Sequence, residues 1–305
     1  MAWERVELVV DGGHAEALAE ALERAGAIST ELSDADAGTD AETARFGEPG
    51  SEAAPWPRCR VTALFPGGED ARRAIGAALA DCGEPPVSAA STSRLEDADW
   101  VARTQREFEP VRAGERLWIV PTWHAAPDPH AVNVVLDPGA AFGTGSHPTT
   151  RLCLAWLEAN VRPGDTVLDY GCGSGILAIA AMKLGAACAR AVDIDPLALE
   201  AARYNARRND VRVEVIDAHD GVHRGAGSEA GARITIANIL ANPLRMLAPT
   251  LASLTRPGGA IALSGILDSQ AADVSAAYAP WAPLEVAGRD GDWVLLAGTK
   301  AAAGC

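Results

Sequence analysis

The feature that most constrains the fold is an apolar strand that runs directly into a glycine-rich turn. Val167-Leu168-Asp169-Tyr170 is followed by Gly171-Cys172-Gly173-Ser174-Gly175, and an apolar helix is predicted from Ile176. This order is typical of an open α/β sheet, in which ligands bind at the carboxyl ends of the strands and glycines let a ligand touch the backbone. The same spacing also occurs where a helix merely packs closely on a strand. With that alternative open, the turn predicts a nucleotide-type site.

The chain alternates strand and helix after this turn, which predicts a mostly parallel sheet covered on both faces. We therefore expect an α/β, Rossmann-like domain with a seven-stranded sheet. Its predicted strands are residues 166–170, 189–194, 211–216, 234–238, 260–264, 284–287 and 293–296, and its predicted helices are 176–184, 196–208, 243–254 and 269–278. Two shorter strands, 117–120 and 132–136, precede the first glycine-rich loop.

The first part of the chain shows two β-α-β halves, which predict a small ferredoxin-like α+β domain. The predicted strands are 3–10, 27–32, 58–65 and 87–92, and the helices are 14–25 and 69–80. From 94 to 108 charge is dense and apolar residues are sparse, as in an exposed connecting helix. We place the domains at 1–93 and 116–305 and a helical linker at 94–115.

The composition is that of a soluble globular protein with an acidic surface. A net charge of −15, from 41 acidic and 26 basic residues, disfavours contact with a phosphate backbone and would attract a basic macromolecule. Plain solubility is the alternative explanation of the acid excess. No apolar run is long enough to cross a bilayer and no secretion signal begins the chain, so we expect the protein in the cytoplasm. We also expect it to be a monomer. The six cysteines lack zinc spacing, so we expect them to be reduced and metal-free.

Two acidic residues beside the glycine turn narrow the choice of ligand. Asp193 ends the next predicted strand, roughly 20 residues on, where a carboxylate accepts hydrogen bonds from ribose hydroxyls of either NAD or S-adenosylmethionine. Asp169 distinguishes the two, because a carboxylate there opposes a pyrophosphate but favours the sulfonium and α-ammonium groups of S-adenosylmethionine. A turn-forming or capping role is the alternative for Asp169, as N-capping is for Asp195.

A second glycine-rich segment, 137–150, precedes the first helix of this domain. Its three glycines near hydroxyl side chains suit a loop that folds over a ligand, although a solvent-exposed loop has the same composition. Phe142 is placed to cover a sulfonium by a cation-π contact, and Thr150 to hydrogen-bond the methionine end of the cofactor.

Asn238 ends the fourth predicted strand, where its side-chain oxygen can accept a hydrogen bond from an incoming amine. A simple turn residue is the equal alternative. We expect Asn238 and backbone carbonyls to orient the amine while water removes its proton. His147 as a general base is the sharper alternative, although a lone histidine is more often structural.

Several segments together resemble the methyltransferases of large-subunit ribosomal protein L-eleven. They include DPGAAFGTGSHPTT at 137–150, the Asp169–Gly175 turn with its helix, and DIDP at 193–196. Further matching segments are 114–119, 238–241 and 264–267. The likeness covers most of residues 95–300 and is looser in the N-terminal part.

The resemblance implies an enzyme that uses S-adenosylmethionine to place methyl groups, up to three on each nitrogen, on lysine side chains and the N-terminal amine of that basic ribosomal protein. It implies that the small domain recognises this substrate and that the helical linker lets this domain reorient. Carried over by position, the contacts with the cofactor are Thr150, Gly171, Asp193 and Asn238, with Phe142 and His147 close by. Together with Asp169 and Gly173 of the glycine turn, the predicted cofactor-binding residues are Phe142, Thr150, Asp169, Gly171, Gly173, Asp193 and Asn238. Two parts of the chain depart from the family pattern. The family commonly has a second tryptophan shortly after the one matching Trp100, whereas this chain has Thr104, and the 38–57 region is its own. These differences concern the docking of the substrate more than the chemistry.

Other classes share part of this pattern. A nucleic-acid methyltransferase would use the same cofactor domain, but base-modifying enzymes often carry an aromatic residue after a proline where this chain has Asn238-Ile239-Leu240. An NAD-dependent oxidoreductase would keep Asp193 but not Asp169 beside its phosphates. A protein that only senses S-adenosylmethionine would have the same site residues.

Overall fold

The chain folds into two compact units, Met1–Glu107 and Phe108–Cys305, in a computed structural model. The structure describes residues 2–37, 39, 55–66, 73, 75–78, 80, 91–96, 108–137, 145, 147–220 and 231–302. None of the described helices is long and apolar enough to span a membrane.

The first unit contains a four-stranded antiparallel sheet in the order β2–β3–β1–β4. Its strands are β1 (Ala2–Asp11), β2 (Ser29–Asp34), β3 (Arg58–Pro66) and β4 (Ser91–Glu96). Helix α1 (Ala15–Arg24) buries Leu18 and Leu22, four residues apart and therefore on one face, against the sheet. This strand order is the one that two interleaved β-α-β halves produce.

The second helix of this unit, predicted at 69–80, is only partly described. Arg73 and residues 75–78 are helical, and Ile75 and Ala78 are buried in the same core as α1. The ferredoxin-like assignment therefore stays a prediction, supported by the order and direction of the strands.

The closing strand of this sheet lies later in the chain than we predicted from the sequence. It lies at Ser91–Glu96 rather than 87–92, and its last residues fall inside the predicted helical linker, as does the short strand β5 (Val111–Arg112). An edge strand tolerates exposed polar side chains, so its charge pattern resembled that of a solvated helix. Residues 97–107 lie outside the described residues, and the rest of the linker stays a prediction.

The second unit has a seven-stranded sheet, in the order β10–β9–β8–β11–β12–β14–β13, and this confirms the predicted α/β fold. Its strands are β8 (Thr166–Tyr170), β9 (Cys188–Asp193), β10 (Val213–Asp217), β11 (Ala232–Asn238), β12 (Thr255–Leu267), β13 (Glu285–Asp290) and β14 (Trp293–Thr299). Strands β8 to β12 pair in parallel, whereas β14 is antiparallel to both neighbours. β6 (Leu117–Val120) and β7 (Val132–Val135) form a separate small sheet with β5.

Six α-helices accompany this sheet in the described part of the second unit. They are α2 (Pro148–Asn160), α3 (Ile176–Lys183), α4 (Pro196–Arg208), α5 (Ala241–Met246), α6 (Ala248–Leu254) and α7 (Ala271–Tyr278). The first six residues of α3 are all buried, so this helix is covered on every side. Because β8, β9 and β11 are parallel, their carboxyl ends lie at one edge of the sheet, and Tyr170, Asp193 and Asn238 end these strands.

The hydroxyl of Tyr278 should contribute measurably to the stability of this unit. Tyr278 is 0% exposed and donates a 2.8 Å hydrogen bond to the carbonyl oxygen of Leu244. Tyr278→Phe should lower the free energy of unfolding by about 1–2 kcal/mol, because it leaves a buried carbonyl without its donor. Urea unfolding of the full chain measures this. Tyr204→Phe is the matched control, since Tyr204 is 50% exposed and its loss should change stability by less than about 0.5 kcal/mol. Equal losses for the two variants would contradict the assignment.

Candidate active site

The glycine turn between β8 and α3 has a backbone that only glycine adopts easily. Gly171, Gly173 and Gly175 have φ angles of +73°, +51° and +77°. A Cβ atom on Gly171 would lie 2.4 Å from Cγ2 of Ile239, and one on Gly175 would lie 2.9 Å from Cβ of Ala202 in α4. Gly175 thus serves helix packing, which is the alternative that the sequence left open. Gly171 likewise leaves room for Ile239, and it follows Tyr170, the last residue of β8, at the carboxyl edge of the sheet.

Asp193 holds this turn in place. Its Oδ2 accepts a 2.8 Å hydrogen bond from the amide of Gly173. Its Oδ1 accepts from the amides of Ile194 and Asp195, at 2.8 and 3.1 Å. Each carboxylate oxygen has two acceptor positions, so the half-exposed side chain retains capacity for a ribose hydroxyl. Asp195 is the N-cap of α4, accepting from the amide of Leu197, as its alternative interpretation predicted.

Asp169 is fully buried beneath the turn, at 0% exposure. Its Oδ2 accepts a 3.1 Å hydrogen bond from the amide of Ala178 in the first turn of α3, which is the capping role weighed as its alternative. Its Oδ1 has no hydrogen-bond partner in the described structure. Burial, opposed by the Ala178 bond and reinforced by the negative charge of Asp193, raises the pKa of Asp169 to about 7. An unpaired buried carboxylate oxygen is costly unless a donor or a cation meets it.

Asn238 and Thr150 lie together, as the sequence predicted for one site. The amide nitrogen of Asn238 donates a 3.3 Å hydrogen bond to Oγ1 of Thr150, which is 2% exposed in the first turn of α2. Because this bond uses the nitrogen, Oδ1 of Asn238 is left as an acceptor, with no donor among the residues described. The side chain is half-buried at the end of β11.

His147 is the N-cap of α2. Its Nδ1 accepts from the backbone amide of Thr149 at 3.3 Å and lies 2.7 Å from the hydroxyl of the same residue. Because a backbone amide can only donate, the proton of the neutral ring is on Nε2. Burial and the positive charge of Arg151 lower the pKa of His147, and Asp290 opposes this shift. The ring is therefore neutral at pH 7 with its basic nitrogen already engaged.

The loop that precedes α2 is largely outside the described residues, which include only 145 and 147 of 138–147. Phe142 is among those not described, and its predicted contact with the cofactor stays a prediction. Gly145 has a φ of +85°, and a Cβ atom there would lie 2.9 Å from Cγ1 of Ile119 in β6. The end of the loop is thus fixed closely against the small sheet.

Three residues near His147 were not identified as site residues from the sequence: Trp293, Arg151 and Asp290. The ring of Trp293 meets the ring of His147 edge-on, with centroids 5.0 Å apart and planes at 70°. Arg151 forms an ion pair with Asp290, with 2.5 Å between Nη2 and Oδ2. Asp290 and Arg151 are 139 positions apart, so no local spacing in the sequence signals this contact. The signal that the sequence offered for Trp293 was its position at the start of a predicted strand, which places it at an end of the sheet.

A groove of about 810 Å³ lies at the opposite edge of the sheet. Its walls include Cys188 and Val213, the first residues of β9 and β10. Ligands of open α/β sheets bind at the carboxyl ends of the strands, so this groove is not the cofactor site.

Comparison with known proteins identifies the family. A family model described as "PrmA: Ribosomal protein L11 methyltransferase (PrmA)" matches residues 2–301. The chain is 52% identical over 301 residues to the ribosomal protein L11 methyltransferase of Dechloromonas aromatica (strain RCB), covering 98% of this chain and 100% of that relative. The chain belongs to this family. The resemblance stated from the sequence motifs is therefore confirmed, and so is its extension through the N-terminal part, where the motifs fit more loosely.

Two further comparisons agree with the family assignment. The ribosomal protein L11 methyltransferase of Cupriavidus necator is 52% identical over 304 residues, which is 99% of either chain. A crystal structure of ribosomal protein L11 methylase from Lactobacillus delbrueckii subsp. bulgaricus is 33% identical, with a TM-score of 0.56. It covers 64% of this chain and 100% of that one. The likeness to this solved structure supports the α/β fold described above.

The buried Asp169 should make stability fall as the pH rises. Its pKa is about 3.9 in an unfolded chain and about 7 in the folded one, so the folded protein retains a proton that the unfolded chain has lost. The free energy of unfolding should therefore fall between about pH 4 and pH 7. Relative to Asp169→Asn, the wild type should lose about 2–3 kcal/mol between pH 5 and pH 8 in urea unfolding.

Glu214→Gln provides the control for this measurement. Glu214 is an exposed acidic residue of the same sheet, so its replacement should change the free energy of unfolding little at either pH. A constant difference between the wild type and Asp169→Asn across the pH range would show that the buried carboxyl keeps its ordinary pKa.

Proposed function

We propose that this chain transfers methyl groups from S-adenosylmethionine to the lysine side chains and N-terminal amine of ribosomal protein L11. The match of a family model over residues 2–301 carries this proposal, together with relatives of that name that are 52% identical over nearly the whole chain. The same match supports the cytoplasm as the place of action, because ribosomal proteins are the named substrates of these relatives.

The residues at the carboxyl edge of the sheet fit S-adenosylmethionine. Oδ1 of Asp169 is buried without a partner, which suits a cationic ligand and opposes a pyrophosphate. We propose that the backbone of Gly171 and Gly173, together with Asp193, holds the nucleoside. Thr150 and Asn238 would contact the methionine part. When bound, S-adenosylmethionine supplies a methyl group that its positively charged sulfur has already activated.

The chemistry left to the protein is mainly alignment of the amine. A lysine has a pKa near 10.4 in water, and it attacks only as the neutral amine. Desolvation at the half-buried edge of the sheet favours that neutral form. Oδ1 of Asn238 is placed to accept an N–H of the amine and so to direct its lone pair, while the bond to Thr150 fixes the amide group.

Water is the acceptor of the proton in this proposal. Nδ1 of His147 already accepts the amide of Thr149, and its lowered pKa makes the ring a weak base. Asp169 is fully buried under the turn and does not face an incoming amine. His147 is then a residue that caps α2 and positions Thr150, three residues on.

The charge of the chain supports a basic protein as substrate. With a net charge of −15, long-range attraction accelerates encounter with a cationic partner and repels free nucleic acid. We propose that the first unit recognises the substrate, that the segment between β4 and β5 links the two domains, and that the enzyme acts as a monomer without binding nucleic acid directly.

Transfer of labelled methyl groups tests the proposed function. Incubation of the purified chain with labelled S-adenosylmethionine should label purified ribosomal protein L11 at lysines and the α-amine, as located by mass spectrometry. Ribosomal RNA and other ribosomal proteins are the parallel substrates and should acquire no label. Label on RNA, or tight calorimetric uptake of NAD without uptake of S-adenosylmethionine, would refute the proposal.

Two substitutions of His147 separate a capping role from catalysis of proton transfer. His147→Asn retains an N-cap acceptor and should keep most of the methylation rate, and His147→Ala should lose stability but little turnover. Single-turnover rates measure both variants. A loss of roughly a thousandfold or more in His147→Asn would instead identify the ring as the base.

Asn238→Ala should reduce turnover about a hundredfold, because the amine loses its orientation. Single-turnover rates measure this effect as well.

A further inference from the structure

Trp293 lies at the same edge of the sheet as Asn238. It is the first residue of β14, and it pairs with Leu267, the last residue of β12. Because β14 runs antiparallel to β12, its beginning lies at the carboxyl end of the parallel strands. β12 is also the neighbour of β11, where Asn238 pairs with Ser264. A half-buried indole therefore stands at the edge where the amine arrives.

The first turn of α2 contacts both of these side chains. His147, its N-cap, meets the ring of Trp293, and Thr150 accepts the hydrogen bond of Asn238. Both side chains are thus on the face of the sheet that α2 covers. The ion pair of Arg151 with Asp290 attaches the end of β13 to the same turn, with Nε and Nη2 at 3.1 and 2.5 Å from Oδ2. The indole is held by α2 from one side and by its own strand from the other.

The chemistry of repeated methylation gives an aromatic ring a use at this edge. In each transfer the nitrogen lone pair forms the new C–N bond, and the C–S bond breaks with its electron pair returning to sulfur. A proton then leaves the nitrogen for water before another transfer. Each round replaces one N–H by a methyl group, so Oδ1 of Asn238 gradually loses its donor. An aromatic ring attracts a methylated ammonium without any N–H.

We propose that Trp293 is a positioning residue for the acceptor nitrogen, whose indole contacts the methylated amine and determines how many methyl groups it accepts. The proposal rests on the proposed function and extends it to the later rounds of transfer. Asn238 then dominates in the first round, when N–H donors are present. Trp293 dominates once they have been replaced.

The distribution of methylation states measures this role. Trp293→Ala should reduce the ratio of trimethylated to monomethylated product on ribosomal protein L11 by about threefold to thirtyfold at equal total transfer. Trp293→Phe should retain an intermediate ratio, because phenylalanine preserves a smaller aromatic ring. Trp281→Phe is the matched control, a half-buried tryptophan of the same unit that packs in another core cluster, and should leave the ratio unchanged.

A purely structural role would lower all methylation states together, so an unchanged ratio in Trp293→Ala would overturn the proposal. A wild-type enzyme that stops at one methyl group would also overturn it.

Binding of tetramethylammonium is a second readout, independent of the protein substrate. The NMR signal of the Trp293 indole N–H is the one that disappears in Trp293→Phe. Tetramethylammonium, added with S-adenosylhomocysteine present, should shift this signal, and no shift would refute the contact. This arm still decides the role of Trp293 if ribosomal protein L11 receives no methyl group, an outcome that defeats the proposed function alone.

Discussion

The candidate site depends on one carboxylate that ties two strand ends together. Asp193 ends β9, yet it accepts the amide of Gly173 in the turn after β8 and two amides of its own turn. Parallel strands bring their carboxyl ends to one edge, but they do not fix the loops there. The hydrogen bonds of Asp193 supply that order, because charge-assisted bonds to backbone amides are short and strong. The turn is thus shaped before any ligand arrives, and little entropy remains to be lost on binding.

Helix α2 organises the other side of the site by the same principle. Its N-cap touches Trp293, its first turn contacts Asn238, and Arg151 anchors the end of β13. These contacts join residues that are far apart in sequence, across β11, β13 and β14. A helix end is suited to this role because its first amides are satisfied by a cap, and the cap sets the direction of the helix. A displacement of α2 would therefore move Trp293, Asn238 and the end of β13 together.

The sequence predicted the parts of the molecule that local pattern governs. The glycine turn, Asp193 at the end of its strand and the alternation of strand and helix all follow from short-range chemistry, and they fixed the α/β fold. The edge strand β4 was misplaced because exposed polar residues satisfy a strand edge and a helix surface alike. The pair of Arg151 with Asp290 and the contact of Trp293 with His147 were invisible, since sheet order alone brings β13 and β14 beside α2. Asp169 was placed correctly next to the turn, and its bond to Ala178 shows the capping role that was weighed as the alternative, while its contact with the cofactor stays a prediction.

Asp169 illustrates why such a site costs stability. Burying a carboxyl with one unpaired oxygen raises its pKa to about 7 and opposes folding at neutral pH. An asparagine would keep the bond to Ala178 without that penalty, so helix capping alone does not explain an acid at this position. The turn between β8 and α3 tolerates the strain because α3 is buried on all sides and its apolar contacts hold the helix in place. A carboxyl with a pKa near 7 ionises more readily beside a cationic ligand, and the attraction between the two charges strengthens as water is excluded. The buried carboxyl opposes folding, whereas the helix above it, whose first six residues are apolar and buried, stabilises the fold and compensates that cost.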